Sequence, residues 1–141
     1  MGPISVLLVD DNLTFLGILT RFLQEHHQNE VMVIGTAGCG AEGLALARSL
    51  RPHVILLDLR MPGLSGLETI PLLRSMLPDV GIIALTLWGA NGYREAALAA
   101  GADDFVSKFA VNTDLLPAIR RVARSKGSQE KPVEKAKEAP R

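Results

Sequence analysis

Five short apolar runs recur along the chain, at 4–9, 30–36, 54–59, 81–85 and 104–107. The middle one reads Val54-Ile55-Leu56-Leu57-Asp58-Leu59, bounded by Arg51-Pro52 before it and Pro62-Gly63 after it. Branched aliphatic residues that follow one another without polar alternation predict strands covered on both faces, as in a parallel sheet. Between the runs the periodicity changes. From 13 to 24, Phe15, Ile18, Leu19 and Phe22 return at helical spacing, with Leu13 and Leu16 widening the stripe either as extra core or as an exposed patch for a partner helix. Further helices are predicted from the Gly38–Gly43 segment to about 50, over 66–77 with Pro71 near its first turns and Pro78 closing it, and over the alanine-rich stretch 91–100 that Gly101 stops. A last helix, capped by Asn112 or Thr113, carries Leu115, Leu116, Ile119 and Val122 on one face. Five strand and helix units in alternation predict an α/β domain around a parallel sheet.

What stands at the ends of the runs matters more than the runs. The first ends in Asp10-Asp11, with Asn12 placed to cap the helix behind them. The third ends in Asp58, the fourth in Thr86 and the fifth in Lys108. Each has an ordinary use: an Asp opens a turn, an Asp pair starts a helix, a Thr ends a strand, a Lys sits on the surface. Taken jointly they fall on the carboxyl edge of one parallel sheet, where open α/β folds bind ligands. Three carboxylates converging in a low-dielectric crevice repel unless a cation joins them, and magnesium, a hard cation held by carboxylates and phosphate oxygens, suits the set. A carboxylate beside such a cation, with a hydroxyl and an ammonium converging on it, is equipped to accept a phosphoryl group as an aspartyl phosphate.

Composition narrows this reading. The 141 residues suffice for one domain and a tail, and 48% hydrophobic with only 4% aromatic residues means a core of aliphatic side chains. Fifteen basic residues balance fifteen acidic ones, so no global field draws the chain to nucleic acid or to an anionic membrane. Cys39 is a single cysteine, no signal peptide is legible, and no apolar run approaches the roughly 20 residues of a membrane span. A cytoplasmic protein is expected. Gly38-Cys39-Gly40-Ala41-Glu42-Gly43 matches a dinucleotide fingerprint, and Asp58 follows at about the distance of a ribose-binding acid. That fingerprint belongs in the first βα turn, which here is Asp10-Asp11-Asn12, so the glycines are read as turning and packing residues. Residues 1–126 are expected to form the domain. Residues 127–141 have almost nothing to bury and are expected to be a disordered tail or linker.

The acidic pair, Asp58, Thr86 and Lys108, together with the Met61-Pro62-Gly63 turn and Gly66, closely resemble the receiver domain of two-component response regulators over about residues 4–125, in particular receivers of the LuxR/NarL type. The resemblance implies a flavodoxin-like (βα)5 doubly wound sheet with strand order 2-1-3-4-5. It implies that Asp58 is the phosphoacceptor, charged by a sensor histidine kinase or phosphotransfer protein. Magnesium (Mg2+) would be held by Asp11, Asp58 and the backbone carbonyl of Arg60, with Asp10 acting mainly through water. Thr86 and Lys108 would be the catalytic partners, and Thr86 with Phe105 the switch that repacks the face of the fourth helix, fifth strand and fifth helix. That face would control an output and could support a homodimer. Self-catalysed transfer and autodephosphorylation would be the only reactions, so an enzyme in the usual sense is not expected.

Two positions depart from the family. Phe109 follows Lys108 where a proline is usual, and Leu87 follows Thr86 where a small residue leaves room for the phosphoryl group. Trp88 and Arg60 occupy the flanking positions and are expected, with Leu87, to tune hydrolysis by shielding the phosphoryl group from water. Receivers of this type precede a helix-turn-helix output domain that would bind DNA. The chain itself carries no nucleic-acid module and is expected to bind neither nucleic acid nor membrane. The alternative is a degenerate receiver acting as a phosphorylation-independent interaction module. A haloacid-dehalogenase-like phosphatase would want Asp-x-Asp after the first strand, and a flavodoxin-like flavin module a Ser/Thr-rich loop there. Neither is present.

Overall fold

The computed structural model describes residues 2–87 and 92–130, with side chains as far as Lys126. Five strands, β1 (Ile4–Val9), β2 (Val31–Ala37), β3 (Val54–Asp58), β4 (Gly81–Thr86) and β5 (Asp104–Ser107), form one sheet in the order β2-β1-β3-β4-β5. Every neighbouring pair is parallel. The helices α1 (Leu13–His26), α2 (Gly40–Leu50), α3 (Gly66–Met76), α4 (Tyr93–Ala100) and α5 (Leu116–Glu130) alternate with them. The fold and strand order are those of the resemblance. Because the chain lays β2 on one side of β1 and β3 on the other, the order in which strands are added reverses between β1 and β3, and the crevice above that point is where such sheets take ligands.

All five residues of β3 are buried, as are all six of β4. Successive side chains point to opposite faces and fill two cores. On one face Val6, Leu8, Leu56, Ile83 and Leu85 pack with Leu16, Leu19 and Leu23 of α1 and with Ile119 and Val122 of α5. On the other, Leu7, Val9, Ile55, Leu57 and Ile82 meet Ala47 of α2, Ile70 and Leu73 of α3, and Ala97 of α4. The small residue Ala97 lets α4 approach the sheet closely, as the alanine-rich stretch suggested.

Three helix details differ from the sequence reading. In α1 the sheet-facing line is Leu16, Leu19 and Leu23, with Phe15 and Phe22 at its margin, while Ile18 and Leu13 are exposed. Leu16 is therefore core and Leu13 is not. Asn112 and Thr113 do not cap the last helix. Ser107 caps a 3-10 turn, Lys108–Ala110, by accepting from Phe109 N at 3.1 Å, and a π-helical turn, Val111–Leu115, leads into α5. The wide turn lets Val111, Leu115 and Leu116 all face inward, while Asn112 and Thr113 stay exposed. Finally, α5 continues to Glu130, past the boundary drawn at Gly127. Lys126, Gln129 and Glu130 are adequate helix formers, and adding a turn to an anchored helix is inexpensive.

Candidate functional site

Asp10 leaves β1 with its backbone N–H still bonded to Ala37 O at 3.0 Å, so it is held by the sheet ladder. Its Oδ1 accepts from Asn12 N at 2.9 Å, and the Asn12 side chain in turn accepts from Phe15 N at 3.0 Å. One polar turn thus fixes the acid and starts α1. Asp11 between them is exposed.

Asp58 is the last residue of β3, opposite Leu85 of β4. The loop beyond it folds back tightly, with Leu59 N on Leu85 O and Gly66 N on Leu59 O. A Cβ on Gly66 would lie 2.6 Å from the Leu59 Cα and overlap the Asp58 carbonyl oxygen, so only glycine lets α3 begin this close to the carboxylate. Ser65 completes the start of α3 with a reciprocal cap to Glu68.

Lys108 brings its ammonium between the two buried acids. Its Nζ lies 2.5 Å from Asp10 Oδ2 and 3.4 Å from Asp58 Oδ1, with 6% of the side chain exposed. It also sits 4.4 Å from the centroid of the Phe15 ring. Burial, and secondarily the charge of Asp10, pushes the Asp58 carboxyl up to about 6, against the opposing pull of Lys108 and of the Arg60 N–H that donates to it.

Asp10, Asp11 and Asp58 each offer an oxygen, and the three lie within 4.8 Å of one another. Lys108 supplies one positive charge against three carboxylates. Asp10 Oδ2 is fully buried, and although Lys108 lies beside it, no well-directed hydrogen bond reaches it. Asp10 Oδ2 is neutralised by the Lys108 ammonium, and the cluster as a whole keeps a net negative charge. The donor set, all oxygen and incompletely neutralised, fits a hard divalent cation.

The remaining positions surround this cluster to different degrees. Thr86 ends β4 beside Ser107 of β5 and is fully buried. Leu87 follows it 46% exposed. Arg60 stands in the turn after Asp58 and is exposed. Phe105 is half-buried and packs on the core face that carries α4. Trp88 lies outside the described residues. No peptide bond among the described residues is cis, so the Lys108-Phe109 bond is trans, and the 3-10 turn sends Phe109 outward, 80% exposed.

The glycine-rich segment belongs to packing. A Cβ on Gly40 would meet Leu64 O at 2.8 Å, and one on Gly43 would press Val9 at 3.0 Å. The first turn of α2 is also self-satisfied: Glu42 accepts from Gly38 N at 2.8 Å, and Cys39 Sγ lies 3.5 Å from Glu42 N. An acid stands where a pyrophosphate would have to bind. The sequence reading assigned Phe15 to the core and missed its contact with Lys108. Its place one helical turn beyond Asp11 puts it near the acidic pair, but nothing in the local spacing points to Lys108.

Comparison with known proteins places the chain in a family. Residues 6–120 match the family described as response regulator receiver domain. The chain is 38% identical over 120 residues to response regulator GacA of Pseudomonas aeruginosa, covering 84% of this chain and 55% of that protein. It is 34% identical over 119 residues to response regulator UvrY of Escherichia coli, covering 84% and 54%. The chain therefore spans about half the length of these curated relatives. Among solved structures it is similar to the response regulator domain of Thermotoga maritima CheB, with a TM-score of 0.79 at 28% identity, over 86% of this chain and 97% of that one.

Proposed function

This chain belongs to the response regulator receiver domain family, and within that family we propose that it is a magnesium-dependent switch whose phosphoacceptor is Asp58. The observation that carries the proposal is the buried Asp58 carboxylate that shares the Lys108 ammonium with Asp10 at the switch point of the sheet.

Asp58 reacts as the carboxylate. Its lone pair forms a new P–O bond while the P–N bond of a phosphohistidine breaks, and the electron pair of that bond stays on the imidazole nitrogen, which takes up a proton. Asp10, Asp11, Asp58 and the Arg60 carbonyl would hold the magnesium ion, which when bound supplies positive charge against the phosphoryl oxygens. Lys108, already desolvated beside Asp58, supplies the second positive charge. The Thr86 hydroxyl donates to the phosphoryl group once it has arrived. A phosphoryl group adds nearly two negative charges, enough to draw Thr86 toward it and let Phe105 turn inward. The face of α4, β5 and α5 then repacks to control an output, and it is the surface through which two copies would pair.

The donor is a sensor histidine kinase or a phosphotransfer protein. Leu13 begins α1 directly after the acidic turn and is 77% exposed, and Phe109 follows Lys108 at 80% exposure, so apolar side chains flank the site by their place in the chain. Such a pair suits a helical partner that must come close to Asp58. Hydrolysis returns the switch to rest, slowed by Arg60, Leu87 and Trp88. Arg60→Ala and Trp88→Ala are expected to speed dephosphorylation, and an unchanged rate in both removes their role.

Residues 1–126 form the receiver in this reading and residues 127–141 a tail or linker, and any output domain that bound DNA, as in transcription regulators, would be separate from this chain. Transfer to itself and autodephosphorylation are its only reactions, and the protein works in the cytoplasm. No helix among the described residues is long and apolar enough to cross a membrane. Incubation with a small phosphodonor and Mg2+, followed by intact mass, tests the proposal. One added phosphoryl group is expected, absent in Asp58→Ala and without the cation. No addition would instead support the phosphorylation-independent module, and an addition that survives Asp58→Ala would overturn Asp58 as the acceptor.

A further inference from the structure

We infer that Phe15 is a positioning residue for Lys108: its ring holds the ammonium at the working position through a cation–π contact and thereby sets the rate of phosphoryl transfer. The inference rests on the reading of Asp58 as phosphoacceptor. Lys108 Nζ is 4.4 Å from the Phe15 ring centroid, inside the range over which the negative face of an aromatic ring attracts a cation. The side chain of Lys108 is 6% exposed, so water does not screen the attraction. The ring is itself anchored: Phe15 packs against the core face formed by α1 and α5, and its backbone N–H is bonded to the Asn12 cap.

The geometry gives the ring a task that the carboxylates cannot perform. In the resting site Lys108 is held by Asp10 at 2.5 Å and by Asp58 at 3.4 Å. Both acids have other work when the site is charged. Asp10 belongs to the oxygen cluster that a divalent cation would share, and Asp58 loses its carboxylate charge when it becomes an acyl phosphate. Each event weakens a bond that holds the ammonium. The Phe15 ring offers no proton-accepting oxygen, takes no part in ligation, and keeps its attraction throughout. It retains Lys108 in the crevice at the moment when the ammonium must face the phosphoryl oxygens. An aliphatic side chain of similar volume would fill the same space and let the flexible lysine stem wander.

The test replaces Phe15 by mono-, di- and trifluorinated phenylalanine, which drain charge from the ring face while nearly preserving its shape. Phe15→Leu and Phe15→Tyr accompany the series. Transfer from a small phosphodonor at saturating Mg2+ is expected to slow stepwise with fluorination, reaching about fivefold, and by about tenfold in Phe15→Leu, with Phe15→Tyr near wild type. Thermal midpoints along the fluorinated series should stay level. The Lys108 side-chain protons should show an upfield ring-current shift that Phe15→Leu abolishes. Fluorinated chains that transfer at the wild-type rate would overturn the inference, even if Phe15→Leu is slow, because packing alone would then explain the loss. Absence of the ring-current shift would overturn it too. A wild-type chain that accepts no phosphoryl group would instead fail the Asp58 reading, and the positioning role would fall with it.

Discussion

The two edges of this sheet are built from the same strands and treat charge in opposite ways. Where the strands begin, polar groups are closed off. His53 N donates to Ser5 Oγ at 2.9 Å while Ser5 N donates to His53 Nδ1 at the same distance, tying β3 to β1. Arg74 spreads its guanidinium over the carbonyls of Pro78, Val80 and Gly101 and over Asp103, which also receives Ile82 N and Lys126. Where the strands end, Asp10 and Asp58 are buried around one lysine, one carboxylate oxygen lacks a directed hydrogen bond, and the Asp58 carboxyl is pushed up to about 6. The first edge spends its polar groups on holding the strands in place. The second crowds carboxylates around one ammonium, a condition that the cation of the proposed function would relieve.

Substitutions at the two edges should therefore separate activity from stability. Lys108→Met is expected to slow phosphoryl transfer about a hundredfold or more, by analogy with loss of one charge-stabilising donor, with the circular dichroism of the fold retained. Arg74→Met should do the reverse. Transfer by the folded chain stays at the wild-type rate, while urea unfolding shows a loss of about 2 kcal/mol, because several carbonyls lose their donor together. If these outcomes were exchanged, the comparison between the edges would be wrong.

A smaller effect comes from Asp58 itself. Its folded value is raised from the ordinary 3.8 to about 6, so between those values the folded chain binds the proton more tightly than the unfolded chain. Stability without divalent cation should therefore fall as pH rises through this window and recover as pH drops. Asp58→Asn should lack that slope and, at neutral pH, be more stable than wild type by about 1–2 kcal/mol, read from thermal melts across pH. Mg2+ should narrow the gap. The least change is expected at Leu87, where Leu87→Ala widens access and speeds phosphorylation about twofold, less than about 0.5 kcal/mol of barrier.

How far the sequence carried this account depends on what each feature required. Apolar runs place the strands because a doubly covered strand tolerates little else, and 4–9 and 104–107 match β1 and β5 to the residue. Asp10, Asp58, Thr86 and Lys108 were legible because strand ends converge in any parallel sheet. The face of α1 was misread because Ile18 is as apolar as Leu16, and only docking decides which meets the sheet. The start of α5 was misread because Ser107 already caps the turn after β5, leaving Asn112 and Thr113 with nothing to cap. Phe15 against Lys108 joins α1 to the loop beyond β5, a long-range meeting that no local spacing reveals. The Arg74 cluster is of the same kind.

The central claim is that the edge crowded with carboxylates carries a phosphoryl group on one of them. Borohydride converts an aspartyl phosphate to homoserine, so reduction of the phosphodonor-treated chain followed by peptide sequencing reads the acceptor directly. Homoserine at position 58 alone is the expected result. Homoserine at Asp10, Asp11 or elsewhere, or an unaltered Asp58, would contradict the account.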